Sequence, residues 1–280
     1  MGILYVVATP IGNKEDISNR AIEILKSVDI ILCEDTRTSS HLLSLLEIKN
    51  KLISYHKFNE FERSREVIKF LKDGQNIAII SDAGTPCISD PGSILVKDSI
   101  EEGIEVYSIP GASAVITALT LTGITINNFA FYGFLERKSS LQKKKLEEIY
   151  KNDIETVVFY ESPKRIIDTL ENIKEVMNNP YTILLNDLTK KFERKYYGTT
   201  SKVLEELKQN KNYELGEYVI VVQKRYSEKE EVKLSPEAII MDILVKEKCT
   251  LKDAIKLASG NKIYSKNEYY DASINIKKII

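Results

Sequence analysis

The sequence predicts an α/β protein: two α/β domains, the first on a mainly parallel sheet and the second on a mixed one, followed by a small helical appendage. Three observations carry that expectation. Up to Pro110, short apolar runs alternate with stretches of helical periodicity, the pattern of a parallel sheet covered by helices on both faces. After Pro110 a second set of strand-like runs follows with different spacing. Beyond residue 233 only helix signals remain.

The first strand is expected at 4–8, ended by Thr9-Pro10. Helix periodicity at 18–27, 38–46, 59–73 and 92–102 alternates with strands at 30–33, 51–55, 77–80 and 104–109. Asn59 with Glu62 marks a helix start, and Gly74 and Gly103 stand where C-terminal glycines belong. Residues 111–123 are small and apolar and predict a tightly packed helix. Strands follow at 129–134, 156–160, 181–185, 194–197 and 218–222, separated by helices at 139–151, 163–177 and 200–209. Ser162-Pro163 opens one of these helices with a capping hydroxyl and a proline at the first helical position. The charged run 225–233 (RYSEKEEVK) predicts a linker. Three short helices are then expected to start at Ser235-Pro236, at Thr250 with Asp253, and at Ser265 with Glu268, an appendage of helix-turn-helix type with a marginal core of its own. The division expected is therefore 1–113, 114–225 and 233–280.

Forty Lys and Arg against 41 Asp and Glu leave a net charge of −1, so no global field advertises a nucleic-acid partner. An RNA partner would have to be held by local basic patches. Cys33, Cys87 and Cys249 are scattered and form no CxxC pair, which argues against a disulfide framework or a zinc site. The N-terminus shows no signal-peptide pattern and no apolar run is long enough to span a bilayer, so the expectation is a cytoplasmic, metal-free protein with no membrane partner.

Ligands of parallel α/β sheets sit outside the carboxyl ends of the strands. Four segments occupy such ends: TPIGN (9–13), EDTR (34–37), SDAGTP (81–86) and PGAS (110–113). The loop SDAGTPCISDPG (81–92) is far longer than the roughly two to six residues an ordinary connection needs. Its glycines allow close backbone approach, its prolines stiffen it, and its carboxylates can receive ribose hydroxyls or an amino group. Any one of these loops alone is an ordinary turn, and Glu34-Asp35 alone a solvated helix N-terminus. Together at one edge they point to a small polar ligand. Neither GxGxxG nor GxxxxGK[ST] is present, so a dinucleotide fold or a phosphate-cradling NTPase loop is unsupported. His41 and His56 are the only histidines, and neither supports a Ser-His-Asp arrangement; His41 suits a structural place, whereas His56 stands where it can face the cleft.

The segments LYVVATPIGNKEDIS, CEDTRTSSHLL, SYHKFNE, ISDAGTPCISDPG, IPGASAVITAL, FYGFL, FYESPKRI and GEYVIVV occur in the order and spacing of a known family. Over residues 3–224 the chain resembles the S-adenosylmethionine-dependent ribosomal RNA cytidine-2′-O-methyltransferases of the tetrapyrrole methylase superfamily; the helical tail resembles that family's C-terminal domain more weakly. The resemblance implies two α/β domains of tetrapyrrole-methylase type with S-adenosyl-L-methionine in the cleft between them. The walls it implies are Thr9, Pro10 and Gly12; Ser81, Asp82, Ala83 and Gly84; Pro110, Gly111 and Ala112; and Phe159 and Tyr160 from the second domain. It implies as substrate the 2′-hydroxyl of a cytidine in the decoding region of 16S ribosomal RNA, hence the small ribosomal subunit as partner, and a homodimer. One departure is visible: the family's Arg-Glu before Leu-Thr-Lys is here Asn186-Asp187.

Methyl transfer to an alcohol needs alignment and a proton acceptor. Glu34, Asp35 and Glu161 are the candidate acceptors, with Arg37 placed to orient Glu34 or grip a phosphate and Asp82 assigned to the cofactor. Lys143, Lys144 and Lys145, with Lys190, Lys191 and Arg194, are the candidate RNA contacts. A tetrapyrrole-type small-molecule methylase and a non-catalytic ribosome-associated binding protein are the rival readings; the TPIGN and SDAGTP forms and the tail disfavour the first.

Overall fold

A computed structural model of the chain describes residues 1–224, 234–261 and 263–277. The linker expected at 225–233 lies outside the described residues. Contacts divide the chain into two units, Met1–Tyr226 and Ser227–Ile280.

The first unit begins with alternating strands and helices: β1 (Leu4–Val7), α1 (Asn19–Ser27), β2 (Ile30–Cys33), α2 (Thr36–Leu45), β3 (Lys51–Ser54), α3 (Glu60–Lys72), β4 (Ile77–Ile79), α4 (Ser93–Glu101) and β5 (Val106–Ile109). The strands form one sheet in the order β3-β2-β4-β1-β5, every pair parallel. Side chains alternate between its faces. Leu4, Val6, Leu32, Ile77 and Ile79 meet Val67 and Leu71 of α3 and Leu95 of α4, while Val7, Ile31, Cys33 and Ala78 meet Ala21 and Leu25 of α1 and Leu43 of α2. Two covered faces are why β2 and β4 are apolar without alternation.

The second half continues with α5 (Ala114–Thr120), β6 (Ala130–Phe134), α6 (Ser139–Lys151), β7 (Thr156–Glu161), α7 (Ile166–Val176), β8 (Tyr181–Asn186), β9 (Arg194–Thr199), α8 (Thr200–Gln209) and β10 (Tyr218–Gln223). Its sheet runs β6-β7-β10-β8-β9; β6 and β7 are parallel, and the other pairs are antiparallel. One face buries Phe159, Leu184 and Ile220 under α6, α7 and α8. The opposite face, with Val158, Ile183, Leu185, Val219 and Val221, packs on Val115, Ala118 and Leu119 of α5 and on Ile11 from the loop after β1. That shared apolar core joins the two sheets.

Two helices are shorter than the periodicity predicts. Residues 110–113 stay extended and α5 starts only at Ala114; the Thr85 hydroxyl donates to the Ala112 carbonyl (3.0 Å) and holds that stretch against the neighbouring loop. The stretch expected to be helical from 163 opens as a 3₁₀ turn, Pro163–Arg165, before α7. Asn59 precedes α3 but makes no side-chain cap. Its amide instead accepts from the His56 N–H (2.8 Å) and donates to the Ser54 carbonyl (3.2 Å), which folds the turn after β3. Buried Lys224 donates to the carbonyls of Ile149 (2.6 Å) and Asn152 (2.7 Å), a positive charge on the C-terminal end of α6.

The second unit is three helices, α9 (Pro236–Glu247), α10 (Leu251–Gly260) and α11 (Lys266–Lys277). Ile240, Ala254, Ala258, Tyr269 and Ile276 make its small core. The starts expected from sequence are formed: Ser235 accepts from the Ala238 N–H, Thr250 from Asp253, and Ser265 and Glu268 cap one another reciprocally. Among the described residues no helix is long and apolar enough to cross a membrane.

Candidate active site

The strand order brings the sequence motifs together. β1 and β4 are neighbours, β5 lies on the other side of β1 and β2 on the other side of β4. All five strands are parallel, so the loops leaving β1, β2, β4 and β5 emerge at one edge. The loops after β1 and β4 are tied to one another. The Thr9 N–H donates to the Gly84 carbonyl (2.8 Å) and the Gly84 N–H returns to the Thr9 carbonyl (3.1 Å). The Thr9 hydroxyl donates to the Ser81 carbonyl (3.1 Å), and the Ser81 hydroxyl to the Gly84 carbonyl (3.2 Å). Gly84 has φ +84°, and a Cβ there would lie 3.2 Å from Ile11 Cγ2; the turn needs glycine for its conformation as well as its space.

Against this edge lies a cleft of about 360 Å³. The first half lines it with Ile11, Asp82, Ala83, Gly84, Ser89, Asp90, Ser113 and Ala114; the second with Phe134, Tyr160, Glu161, Ser162, Leu188 and the turn Gly216–Val219. Of the implied cofactor residues, Asp82, Ala83, Gly84 and Tyr160 line the cleft. The others stand behind it. Thr9 and Ser81 are buried in the loop-to-loop bonds and Pro10 is buried next to them; exposed Gly12 lies against Leu188–Lys190, where a Cβ would sit 2.5 Å from Lys190 Cγ. Gly111 packs on Ala8, with 2.8 Å left for a Cβ, and Pro110 and Ala112 flank it while Ser113 and Ala114 reach the cavity. Phe159 points the other way, into the core under α7.

The candidate acceptors differ sharply in environment. Asp35 caps α2, accepts from the Arg37 N–H (2.8 Å) and pairs with the Arg37 guanidinium (2.8 Å). These bonds hold its carboxyl down at about 2, and neither residue lines the cleft. Arg37 orients Asp35, not Glu34. Glu34 is half-buried, and burial together with the Asp82 charge pushes it up, with His56 acting in the opposite sense. Glu161 is wholly buried with both oxygens engaged: it accepts from the Ser162 N–H (2.7 Å) and the Thr169 hydroxyl (2.7 Å) and pairs with Arg165 (3.1 Å). Asp90 was not singled out by the sequence. It lines the cleft, no hydrogen bond holds its carboxylate among the described residues, and burial, then the charges of Glu34 and Asp82, push it up to about 6.

The Asn186 departure has a physical account. Its buried amide donates to the Leu215 and Glu217 carbonyls (3.3 and 3.4 Å), holding the turn that forms one wall of the cleft. Asp187 continues the clasp: its N–H donates to the Glu217 carbonyl (2.9 Å) and its carboxylate pairs with Lys190 (3.0 Å).

Of the six cations picked out by sequence, three are compensated by carboxylates. Lys143 pairs with Glu175, Lys145 with Glu148, and Lys190 with both Asp187 and Glu217. Lys191 lies over the Phe192 ring, and Arg194 is exposed on the edge strand β9.

An adenosine-sized cation fits these walls: the cleft has the volume, a glycine loop for close backbone approach, the aromatic Tyr160, and the carboxylate of Asp82 to face positive charge. Residues 3–208 match the family model of the Tetrapyrrole (Corrin/Porphyrin) Methylases. A protein of Haemophilus influenzae called ribosomal RNA small subunit methyltransferase I is 43% identical over 270 residues, 96% of this chain and 95% of that protein. Its namesake in Bacillus subtilis is 42% identical over 277 residues, 97% and 94% of the two chains. Among solved structures, diphthine synthase matches with a TM-score of 0.60 at 15% identity, over 80% of this chain and 90% of that one. Uroporphyrin-III C-methyltransferase of Thermus thermophilus, complexed with S-adenyl homocysteine, matches with a TM-score of 0.56 at 16% identity, over 80% and 98%. These two likenesses show the fold. With its family match across both sheets and its near full-length relatives, the chain belongs to the tetrapyrrole methylases and, within them, to the ribosomal RNA small subunit methyltransferase I family.

Proposed function

We propose that this enzyme transfers a methyl group from S-adenosyl-L-methionine to the 2′-hydroxyl of a cytidine in the decoding region of small-subunit ribosomal RNA, in the cytoplasm and as a homodimer. The observation that carries this reading is the cleft itself: carboxyl-end loops of a parallel sheet on one side, aromatic and acidic residues of the second half on the other, in a chain whose near full-length relatives are named for methylation of that RNA.

Bound there, S-adenosylmethionine supplies an electrophilic methyl group on a sulfonium, and transfer to a hydroxyl releases one proton. The chain's own tasks are to orient the hydroxyl, exclude water and take that proton. Asp82, in the loop tied to Thr9, and the backbone of Ala83 and Gly84 hold the cofactor end of the cleft. Asp90 takes the proton: it lines the cleft with no hydrogen bond to its carboxylate among the described residues, and it is pushed up to about 6, near neutrality, where an acceptor works best. Glu161 holds its surroundings in place. Asp35, already bound by Arg37, belongs to the start of α2, so Asp35→Asn is expected to leave single-turnover methyl transfer at the wild-type rate. A slow Asp35→Asn variant with normal cofactor affinity would return the acceptor role to that residue.

Incubation with methyl-labelled S-adenosylmethionine tests the reading as a whole. Label is expected in small ribosomal subunits lacking the modification, on a cytidine ribose after nuclease digestion and mass spectrometry. Label on a tetrapyrrole instead, or on a base rather than a ribose, would overturn it.

A further inference from the structure

Beside the cleft a second, larger groove of about 1030 Å³ opens on the surface of the first unit, and Phe134 and Ser162 line both. Its rim is basic: Lys57 from the turn after β3, Arg137 and Lys138 ahead of α6, and Lys164 and Arg165 from the 3₁₀ turn before α7. One carboxylate, Glu136, shares the lining. Arg165 is spoken for, since it pairs with Glu161 and donates to the carbonyls of Leu135 (2.8 Å) and Glu136 (3.1 Å). Lys57, Arg137, Lys138 and Lys164 are exposed and, among the described residues, have no ion-pair partner. The contrast with Lys143, Lys145 and Lys190, each answered by a glutamate, is the informative one. In a chain of net charge −1, four unanswered cations around one groove make the local field that the composition lacks.

Aromatic surface is present at the same place. Phe134 is 58% exposed at the junction of groove and cleft, held edge-on by Tyr160 at 5.7 Å. Phe58, next to Lys57 in the chain though outside the groove lining, is 95% exposed. Cations spaced along a groove with aromatic faces between them form the usual arrangement for single-stranded nucleic acid, in which phosphates follow the charge and unstacked bases lie on the rings.

We infer that this groove holds the RNA strand flanking the target nucleotide, with phosphates on Lys57, Arg137, Lys138 and Lys164 and with Phe134 stacking at the point where one nucleotide turns into the cleft. The inference rests on the reading of the substrate as ribosomal RNA. It moves the RNA contact away from the lysine runs of α6 and the 190–194 segment.

The test is binding of small ribosomal subunits as a function of salt, for the wild type, for Lys57→Gln/Arg137→Gln/Lys138→Gln/Lys164→Gln, and for Lys143→Gln/Lys144→Gln/Lys145→Gln. Calorimetry with S-adenosylmethionine checks that each variant keeps its fold and cleft. The groove variant is expected to lose about 0.7 in salt slope for each phosphate contact, about 2.8 for four, with cofactor affinity unchanged, while the α6 variant keeps the wild-type slope. Phe134→Ala is expected to weaken binding roughly tenfold with the slope intact. A single-stranded polyribonucleotide should displace the subunit from the wild type. An unchanged slope in the groove variant, or a loss confined to the α6 variant, overturns the inference and leaves the methylation reading standing. Subunit binding that no polyribonucleotide displaces would make the groove a site for a ribosomal protein and also overturn it. A wild type that neither binds nor labels ribosomal RNA removes both.

Discussion

Asp90→Asn is expected to slow single-turnover methyl transfer by roughly 10²–10⁴-fold while leaving S-adenosylmethionine affinity close to that of the wild type. The amide keeps the shape of the side chain and removes its capacity to accept the proton. In the wild type the second-order rate constant at low S-adenosylmethionine should rise with pH through about 6, where the free protein's Asp90 gives up its proton, and level off above; in the variant that limb should vanish. Stability should move the other way. A carboxyl raised from 3.8 to about 6 in the folded state binds more protons folded than unfolded between those values, so its contribution to stability falls as pH rises through that window. Asparagine carries no such charge, and the variant should therefore unfold at a higher temperature than the wild type at pH 7, and with less difference at pH 4. Slower transfer with greater stability is the signature of a charge kept in an unfavourable place for use. A variant that is both slower and less stable would make Asp90 a structural member of its loop, and one that transfers at the wild-type rate would leave the half-buried Glu34 as the next acceptor to test.

The architecture was legible because its causes are local. A strand buried on both faces is a continuous apolar run, as in Ile30–Cys33, and a helix lying on a sheet shows its apolar stripe, so alternation alone gave the first sheet. The four carboxyl-end loops were legible for the same reason, since glycine, proline and aspartate betray a turn wherever it is. Their inner and outer residues were not. Thr9 and Asp82 both lie in motif loops, yet Thr9 turns inward to tie the loops and Asp82 faces the cleft, and only the β1–β4 pairing decides which. Asp90, sitting before a proline, has the look of an ordinary turn residue until burial and two neighbouring carboxylates are brought to it by β2 and β4. The turn Gly216–Val219 looks like the approach to a strand; it becomes a wall of the cleft because β10 inserts between β7 and β8. Charge compensation is the least legible of all. Lys143 finds Glu175 and Lys190 finds Glu217 through helix and strand packing, at separations that no spacing rule covers. The lysine runs drew attention by adjacency in sequence, whereas the basic groove gathers its cations from three separate segments.

Arg165→Met is expected to destabilise the first unit by about 3–5 kcal/mol, the cost of leaving a buried charge without its partner. The Glu161 side chain has no exposed surface and Arg165 supplies its countercharge at 3.1 Å. The same guanidinium donates to the Leu135 and Glu136 carbonyls, so it also fixes the end of the FYGFL strand against the 3₁₀ turn, on the partition between cleft and groove. Glu161→Gln removes the charge and its ion pair together but keeps an oxygen for the Ser162 N–H and offers an NH2 that the Thr169 hydroxyl can accept from, and should cost less. Thr169→Val deletes the hydrogen bond to the carboxylate and the one its hydroxyl accepts from the buried Gln142 amide (3.1 Å), and should cost about 1–2 kcal/mol, leaving the ion pair intact. Urea unfolding gives the order Arg165→Met, Glu161→Gln, Thr169→Val from lowest midpoint to highest. The chemistry separates a positioning role from a proton-accepting one. If Glu161 positions, Glu161→Gln lowers the midpoint and the folded fraction still transfers methyl at close to the wild-type rate, with the pH limb near 6 retained because that limb belongs to Asp90. An unchanged midpoint with methyl transfer abolished in Glu161→Gln would instead make the buried carboxylate the proton acceptor, and Asp90 would lose that role.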